Sequence, residues 1–239
     1  MKLPDSAKGF FIVLSIAFAF FYLACNKNIN AGANKSYLSV TNISPDAGQL
    51  NIFFEGENLD SAGPLPYDST TGVDGNPYLT AIAGVHNFKL GPTIDSAHLD
   101  GNIAMQRGYY YSLFAYDNVV GANSSLKSLI LQDVLTAPND TLSSVRFLNF
   151  CDTTLYVVLT NAEDTLAFLT RNITTSSAPN SFTYVRIKSA SYQFQVVKDT
   201  IAYTLDSLFL SGTKIYNVYF KSSTGAPDQT LTKRSIRLN

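Results

Sequence analysis

Hydrophobic and polar residues alternate along much of this chain with the period of two that is typical of a half-buried β-strand. Tyr192, Phe194 and Val196 alternate with two glutamines, and apolar residues alternate in the same way over residues 50–54. Turn-forming residues recur about every 8–12 positions. No segment after Cys25 shows the period of an amphipathic helix. The pattern predicts an all-β protein whose sandwiches have about seven strands each.

The strand pattern occurs twice, at a weak internal spacing of about 106 residues. Tyr78 with Phe88-Lys89-Leu90 recurs, at unchanged spacing, as Tyr184 with Phe194-Gln195-Val196. A turn-rich break at residues 137–140 separates the copies. The alternative is a chance alignment of β-patterns. We predict two tandem Ig-like antiparallel β-sandwich domains, at residues 36–137 and 142–239.

The N-terminus has the features of an export signal. Lys2 and Lys8 precede an apolar run, Phe10–Ala24, that ends directly before Cys25. A basic start, a short apolar stretch and a small residue at the cleavage site define a secretory signal. We predict a signal peptide at residues 1–24. A single-pass membrane helix is the alternative, although the run is shorter than the ~20 residues that a bilayer requires.

The sequence Leu23-Ala24-Cys25 resembles the lipobox of bacterial lipoproteins, although Tyr22 occupies a position where leucine is usual. The resemblance implies that the Cys25 sulfur carries diacylglycerol and that the new amino terminus is acylated as well, for example with palmitate. Two or more acyl chains anchor a protein stably, whereas one does so only marginally. Residues 25–35 then form the lipidated cysteine and a flexible tether.

The second cysteine, Cys151, ends an apolar strand. If Cys25 carries lipid, Cys151 has no cysteine partner for a disulfide. At the end of a strand, such a thiol is more often a small buried filler than a nucleophile.

A short turn motif in the first copy contributes to a resemblance to a known family. Residues 42–47 read Asn-Ile-Ser-Pro-Asp-Ala, and the strand Leu50–Phe54 and a segment from Tyr78 to Phe88 follow. Together they resemble the bacterial family called domain of unknown function 4397. The resemblance implies secreted Ig-like or transthyretin-like β-sandwiches that are often lipid-anchored and often in tandem. It implies no activity.

Composition narrows the classes of function. The 239 residues are 46% hydrophobic and only 15% charged, with a formal net charge of −1. This charge gives no electrostatic reason to expect a nucleic-acid partner. With two histidines and three glutamates, the chain has few general acids and bases. We predict that it is not an enzyme and assign no catalytic, cofactor-binding or metal-binding residue.

One small cluster could nevertheless supply chemistry. Asp95, His98 and Asp100 have a spacing that could provide metal ligands. Three such residues on one irregular segment are more typical of a hydrated turn. An alternative function would use these three residues. In that case the protein would be a polysaccharide-processing enzyme or its carbohydrate-binding accessory.

Aspartate followed by serine or threonine and then a small or aliphatic residue, or a second threonine, recurs through the chain. The pattern resembles the O-glycosylation acceptor of exported Bacteroidota proteins, and an attached glycan would be bulky and surface-exposed. The other interpretation is that these dipeptides open turns before strands. Both interpretations place them on loops. The candidate acceptors are Ser61, Ser69, Ser96, Thr141, Thr153, Thr165, Thr200 and Ser207.

Two further segments are candidates for contact with a partner. The segment Glu57–Pro77 is rich in Gly, Pro and Asp and is long enough to form a contact loop. In the densest aromatic stretch, Tyr110 and Tyr116 could form a binding platform, although a core position is the favoured interpretation.

We therefore expect a non-enzymatic, lipid-anchored protein of the cell envelope whose sandwiches bind or space an envelope protein or a glycan. The residues after Cys25 lack the acidic side chains that often follow this cysteine in outer-surface lipoproteins of Bacteroidota. This favours the periplasmic face of the outer membrane.

Overall fold

A computed structural model describes residues 34–117, 125–138, 141–151, 153–170, 173, 182–198, 200–222 and 231–239. The predicted signal peptide, Cys25 and the tether up to residue 33 lie outside these ranges. Within them the chain is all-β, as predicted. No helix in the described part of the chain is long and apolar enough to cross a bilayer.

The first repeat contributes nine of the described strands. They are β1 (Lys35–Asn42), β2 (Asn51–Phe54), β3 (Glu57–Asn58), β4 (Ser69–Thr70), β5 (Leu79–Ile82), β6 (Gly84–Gly91), β7 (Leu99–Met105), β8 (Tyr110–Asp117) and β9 (Leu126–Asp133). One sheet has the order β4-β1-β8-β9, with β5 also paired to β1. The other has the order β3-β2-β6-β7.

The second repeat has eight strands in its described ranges. They are β10 (Leu142–Asn149), β11 (Leu155–Thr160), β12 (Thr165–Thr170), β13 (Val185–Lys188), β14 (Ala190–Lys198), β15 (Ile201–Leu210), β16 (Ile215–Ser222) and β17 (Leu231–Arg237). Their sheets, β13-β10-β16-β17 and β12-β11-β14-β15, reproduce the order of the first repeat. The short strand β4 has no counterpart among them.

The sheets depart from the predicted purely antiparallel pattern at one place in each repeat. Strand β1 pairs with β8 in parallel, with Thr41 opposite Phe114. Strand β10 pairs with β16 in the same way, with Leu148 opposite Tyr219. Parallel neighbours need a long crossover between them. Here the second sheet of each sandwich supplies that crossover, which sequence alternation cannot reveal.

Each repeat encloses its own hydrophobic core between its two sheets. The first core contains Leu38, Leu50, Ile52, Phe88, Leu90 and Leu113, among others. The second contains Val145, Leu155, Tyr192, Phe194, Val196 and Phe220, together with Cys151, which is 1% exposed. The alternating positions of the sequence therefore face inward, because burial of their apolar area stabilises the sandwich.

Polar residues that occupy the same place in both repeats support the internal duplication. Asn42 and Asn149, at the ends of β1 and β10, each accept a hydrogen bond from the backbone N–H two residues further on. The amide of each asparagine donates to two backbone carbonyls. Tyr111 and Tyr216 each accept a hydrogen bond from the backbone N–H five residues before them. These bonds close equivalent turns in the two sandwiches.

The two repeats are packed together within one compact unit, Ser36–Asn239. A third apolar cluster joins them, and it draws on the outward faces of β8 and β9 and of β10 and β16. Its buried members are Ile43, Phe114, Tyr116, Leu131, Leu148, Ile173, Ile215, Tyr219, Ile236 and Leu238. The central strands of one sheet in each repeat, β1 and β8 in the first and β10 and β16 in the second, are therefore buried on both faces, which explains the near-continuous apolar sequence of β8.

Equivalent residues meet each other across this interface. The Asn217 amide donates to the Ser112 hydroxyl, its counterpart in β8, over 3.1 Å. The rings of Phe114 and Tyr219, also counterparts, meet edge to face with centroids 6.1 Å apart. Contacts between equivalent residues are typical of a two-fold isologous interface. The two repeats thus pack like the halves of a symmetric dimer within one chain.

A buried ion pair lies at the centre of the interface. The carboxylate of Asp133 pairs with the guanidinium of Arg146, and their side chains are 0% and 2% exposed. Asp133 also accepts hydrogen bonds from the hydroxyls of Ser112 at 2.6 Å, Tyr78 at 2.9 Å and Tyr184 at 3.1 Å. Four donors from both repeats therefore satisfy one carboxylate, which compensates for its loss of water.

The guanidinium of Arg146 is equally well satisfied. Its Nε donates to the Asn217 side chain at 2.9 Å, and its Nη1 donates to the Gln132 carbonyl at 3.1 Å. The ring of Tyr184 stacks against it at 4.6 Å. Burial raises the pKa of the Tyr184 hydroxyl, and burial followed by the charge of Asp133 raises that of Tyr78. Both tyrosines therefore stay protonated and act as donors to Asp133.

Replacing Arg146 by alanine should lower the free energy of unfolding by about 3–5 kcal/mol, because it leaves the buried Asp133 carboxylate without its counter-charge. Urea unfolding followed by circular dichroism measures this change.

The matched control is Lys188→Ala, which breaks an exposed ion pair with Asp164. Exposed pairs contribute at most about 1 kcal/mol. Equal losses in the two variants would contradict the role assigned to the buried pair.

Candidate functional site

The segment Glu57–Pro77, which the sequence suggested as a contact loop, is built into the first sandwich. Leu65 is buried in the first core and forms a backbone bridge with Leu50. The Thr71 hydroxyl accepts a hydrogen bond from the Val40 N–H and donates to the Pro77 carbonyl. The segment therefore cannot be exchanged for a short linker without loss of core contacts.

Asp68, in this segment, ties the first repeat to the second. Its Oδ1 accepts hydrogen bonds from Lys221 Nζ at 2.7 Å and from the Tyr219 hydroxyl at 3.1 Å. Its Oδ2 accepts one from Arg234 Nε at 2.7 Å. The backbone φ of Asp68 is 61°, in the left-handed region that aspartate tolerates better than most residues. This conformation points one carboxylate at three donors of β16 and β17.

A cleft of about 530 Å³ opens next to Asp68 and is lined by both repeats. We call it the inter-repeat cleft. The first repeat supplies Tyr67 and Asp68, whereas the second supplies residues of β15, β16 and β17. The charged side chains that the second repeat adds to its wall are Asp206, Lys221, Lys233 and Arg234.

The cations of the inter-repeat cleft are held in different ways. Lys221 is 7% exposed and lies over the Tyr67 ring at 4.0 Å. Lys233 lies over the Phe194 ring at 4.2 Å and donates to the Asp206 backbone carbonyl at 2.6 Å. Burial lowers the pKa of Lys233 to about 8. Arg234 is mostly exposed, and its hydrogen bond to Asp68 raises its pKa.

Sequence reasoning did not identify this cleft. In the sequence, Asp68 belongs only to the pattern around the candidate acceptor Ser69, and Lys233 and Arg234 belong to no motif. A usable signal is Lys221, which follows the largely apolar run Ile215–Phe220 near the end of a strand. A lysine is rarely buried unless it is paired, so its position predicts an acidic partner without naming it.

The cluster of Asp95, His98 and Asp100 stays on the surface of the first repeat. All three residues are exposed. The Asp100 carboxylate accepts hydrogen bonds from Asn87 and Lys89, which lower its pKa. In the part of the chain that the structure describes, no three His, Cys, Asp or Glu side chains are grouped as metal ligands.

The other histidine, His86 on β6, also has a local partner. Its Nδ1 lies 3.0 Å from Glu55 Oε1. The same carboxylate accepts the Asn87 backbone N–H. This arrangement ties the turn between β2 and β3 to the neighbouring strand β6.

The candidate glycosylation sites differ in exposure. Ser69 and Thr153 are half-buried. The exposed acceptors are Ser61, Ser96, Thr141, Thr165, Thr200 and Ser207.

The expectation that all eight acceptors lie on loops is wrong for three of them. Ser69, Thr165 and Ser207 lie in β4, β12 and β15. The register of β14 and β15 shifts between Tyr192 and Phe194, so Ser207 lies at a β-bulge rather than at a turn. The Asp60 carboxylate, by contrast, accepts the Ala62 N–H in a turn, as the turn interpretation requires.

The dense aromatic stretch is structural. Tyr116 and Phe114 are buried in the cluster between the repeats. Tyr110 stacks on Tyr37 with ring centroids 4.5 Å apart and meets the edge of Tyr78. Tyr110 and Tyr116 therefore do not form one binding platform.

Comparison with known proteins identifies a family. The model of the family described as "Domain of unknown function (DUF4397)" matches residues 36–160, which is slightly more than half of the chain. The match spans the first repeat and extends through β11 of the second. No curated protein matches the chain.

Among solved structures, the chain is similar to the crystal structure of a leucine-rich repeat protein from Bacteroides thetaiotaomicron VPI-5482. The sequence identity is 10% and the TM-score is 0.20. The similarity covers 82% of this chain, which spans only 26% of the length of that protein.

Replacing Lys233 by methionine should stabilise the protein at neutral pH, because the fold no longer has to bury an ammonium group. The pKa of Lys233 falls from 10.5 in the unfolded chain to about 8 in the folded one. Between these values the unfolded state binds more protons, so stability of the native protein should rise with pH. Urea midpoints at about pH 8 and about pH 10 measure both effects.

Lys233→Met should lack the rise in stability with pH that the titration of Lys233 produces. Lys188→Met, at an exposed position, serves as control and should keep it. An unchanged pH dependence in Lys233→Met would show that another group produces the rise.

Proposed function

This chain belongs to the domain of unknown function 4397 family, and from that premise we propose that it is a non-enzymatic, lipid-anchored protein of the bacterial cell envelope that binds a partner. The anchor is the acylated Cys25. The two β-sandwiches form the binding unit. The protein faces the periplasm from the outer membrane of a bacterium of the Bacteroidota.

The sequence before the first strand supports the anchor. A basic start, the apolar run Phe10–Ala24 and the sequence Leu23-Ala24-Cys25 together resemble a lipoprotein signal. Acylation at two positions would hold the protein at a membrane without a spanning segment. The polar residues up to 35 would separate the sandwiches from the lipid surface.

The inter-repeat cleft is the observation that most strongly supports a binding role. A volume of about 530 Å³ lies within the usual range for small-ligand sites. The wall combines charged groups from both repeats, and Asp68 holds two of its cations in fixed positions. A site placed on rigid strands is well suited to recognition.

The polar wall of the cleft also favours the carbohydrate-binding part of the alternative function. Sugars present many hydroxyls, which need both donors and acceptors from the protein. The cleft offers both kinds of group. A carbohydrate-binding accessory is therefore the second candidate function.

The intact mass of the protein extracted from membranes of its native host tests the anchor. We expect a chain that begins at Cys25 and is heavier by its acyl groups. A Cys25→Ala form should lose both the added mass and the membrane association, because it has no sulfur to acylate. An uncleaved, unacylated chain would instead mean that Phe10–Ala24 is a membrane helix.

Peptide mass mapping of the same material tests glycosylation. We expect hexose-sized increments on the exposed acceptors and none on the half-buried Ser69 and Thr153, because a bulky glycan requires an exposed hydroxyl. Replacing Ser61 by alanine should remove the increment from its peptide alone. Modification of Ser69, or unmodified peptides throughout, would contradict this expectation.

A further inference from the structure

We propose that the inter-repeat cleft binds an acidic saccharide, with a sugar carboxylate on Arg234 and sugar hydroxyls on the surrounding polar wall. This inference rests on the binding role proposed above and names the class of ligand for the same cleft. It follows from charge, donor geometry and the chemistry of the lining.

The charges of the cleft do not cancel. Lys221, Lys233 and Arg234 face two carboxylates, those of Asp68 and Asp206. Lys221 and Arg234 share the carboxylate of Asp68. One positive charge therefore remains for a ligand, which matches a single carboxylate.

Arg234 is oriented to receive such a group. Its Nε is engaged with Asp68, and its side chain is 61% exposed. No described residue accepts a hydrogen bond from its Nη1 or Nη2. A guanidinium held at Nε offers its terminal nitrogens as a planar pair, which suits a carboxylate.

Asp68 acts as the positioning residue for this guanidinium. The Tyr219 hydroxyl and Lys221 Nζ hold its other oxygen, so the carboxylate cannot rotate freely. Desolvation of Tyr219 by burial keeps its hydroxyl protonated, because burial raises its pKa. Lower conformational freedom before binding reduces the cost of binding.

The rest of the lining suits a hydroxylated ligand. The side chains of Thr204 and Thr232 carry hydroxyls, and Asp206 is exposed and can accept hydrogen bonds from a sugar. Tyr67 is 38% exposed, and the face of its ring that Lys221 does not cover gives an apolar wall beside these groups. Polar groups with one aromatic face fit the edge and the flat face of a pyranose ring.

Other anions fit the cleft less well. A phosphate monoester carries up to two charges, whereas one remains uncompensated here. Nucleic acid requires a row of cations along a backbone, and the chain has a net charge of −1. A sugar carboxylate satisfies the charge and the hydroxyl-rich wall together.

Calorimetric titration of the full chain in detergent tests the proposal with trigalacturonate as the probe. Galactotriose is the neutral counterpart, and inorganic phosphate tests for a bare anion site. We expect binding of trigalacturonate only. Arg234→Gln should weaken it about tenfold or more, the effect of losing one charge-assisted hydrogen bond.

Lys188→Met removes an exposed lysine outside the cleft and should leave the affinity unchanged. Equal binding of galactotriose or phosphate, or full affinity in Arg234→Gln, would overturn the proposal. Failure of this titration would leave the Cys25 anchor standing, since the mass measurement tests that separately.

Discussion

A carboxylate and a guanidinium can stay buried only where nearly all of their hydrogen-bonding capacity is used. Asp133 and Arg146 meet this requirement only when both repeats contribute donors and acceptors. Ser112 and Tyr78 come from the first repeat, and Tyr184 comes from the second. Separation of the repeats would expose apolar surface and also leave this network incomplete. Apolar contacts alone are not directional. The ion pair therefore stabilises one orientation of the two sandwiches relative to slightly rotated orientations.

The cleft depends on that orientation. Its wall combines Tyr67 and Asp68 with residues more than a hundred positions later in the chain. Asp68 can bridge Lys221 and Arg234 only if the first repeat packs in this position against β16 and β17. A small rotation at the interface would separate the carboxylate from both cations. The buried pair fixes the relative position of the repeats, and the ion pairs of Asp68 with Lys221 and Arg234 depend on that position.

Local patterns predicted much of each sandwich. Alternation over 50–54 and 192–196 placed the inward-facing residues correctly, because alternate side chains of a strand always point to opposite faces. The spacing of Tyr78 and Tyr184 predicted equivalent residues, and both bind the same carboxylate. The parallel pairing of β1 with β8 was missed, because period-two alternation is the same in both kinds of pair. The bulge at Ser207 was missed for a similar reason, since it depends on the neighbouring strand.

The sequence by itself determined the all-β class, the two copies of one pattern, and the signal-like run before Cys25, because these are properties of neighbouring residues. Tertiary structure alone decided that the central strands of one sheet in each copy are buried on both faces. It also decided which charges are paired, since Asp133 meets Arg146 and Asp68 meets Lys221 only after folding. Pairing of distant charges depends on three-dimensional distance and on exclusion of water. Neither quantity is encoded in the order of residues along a single strand.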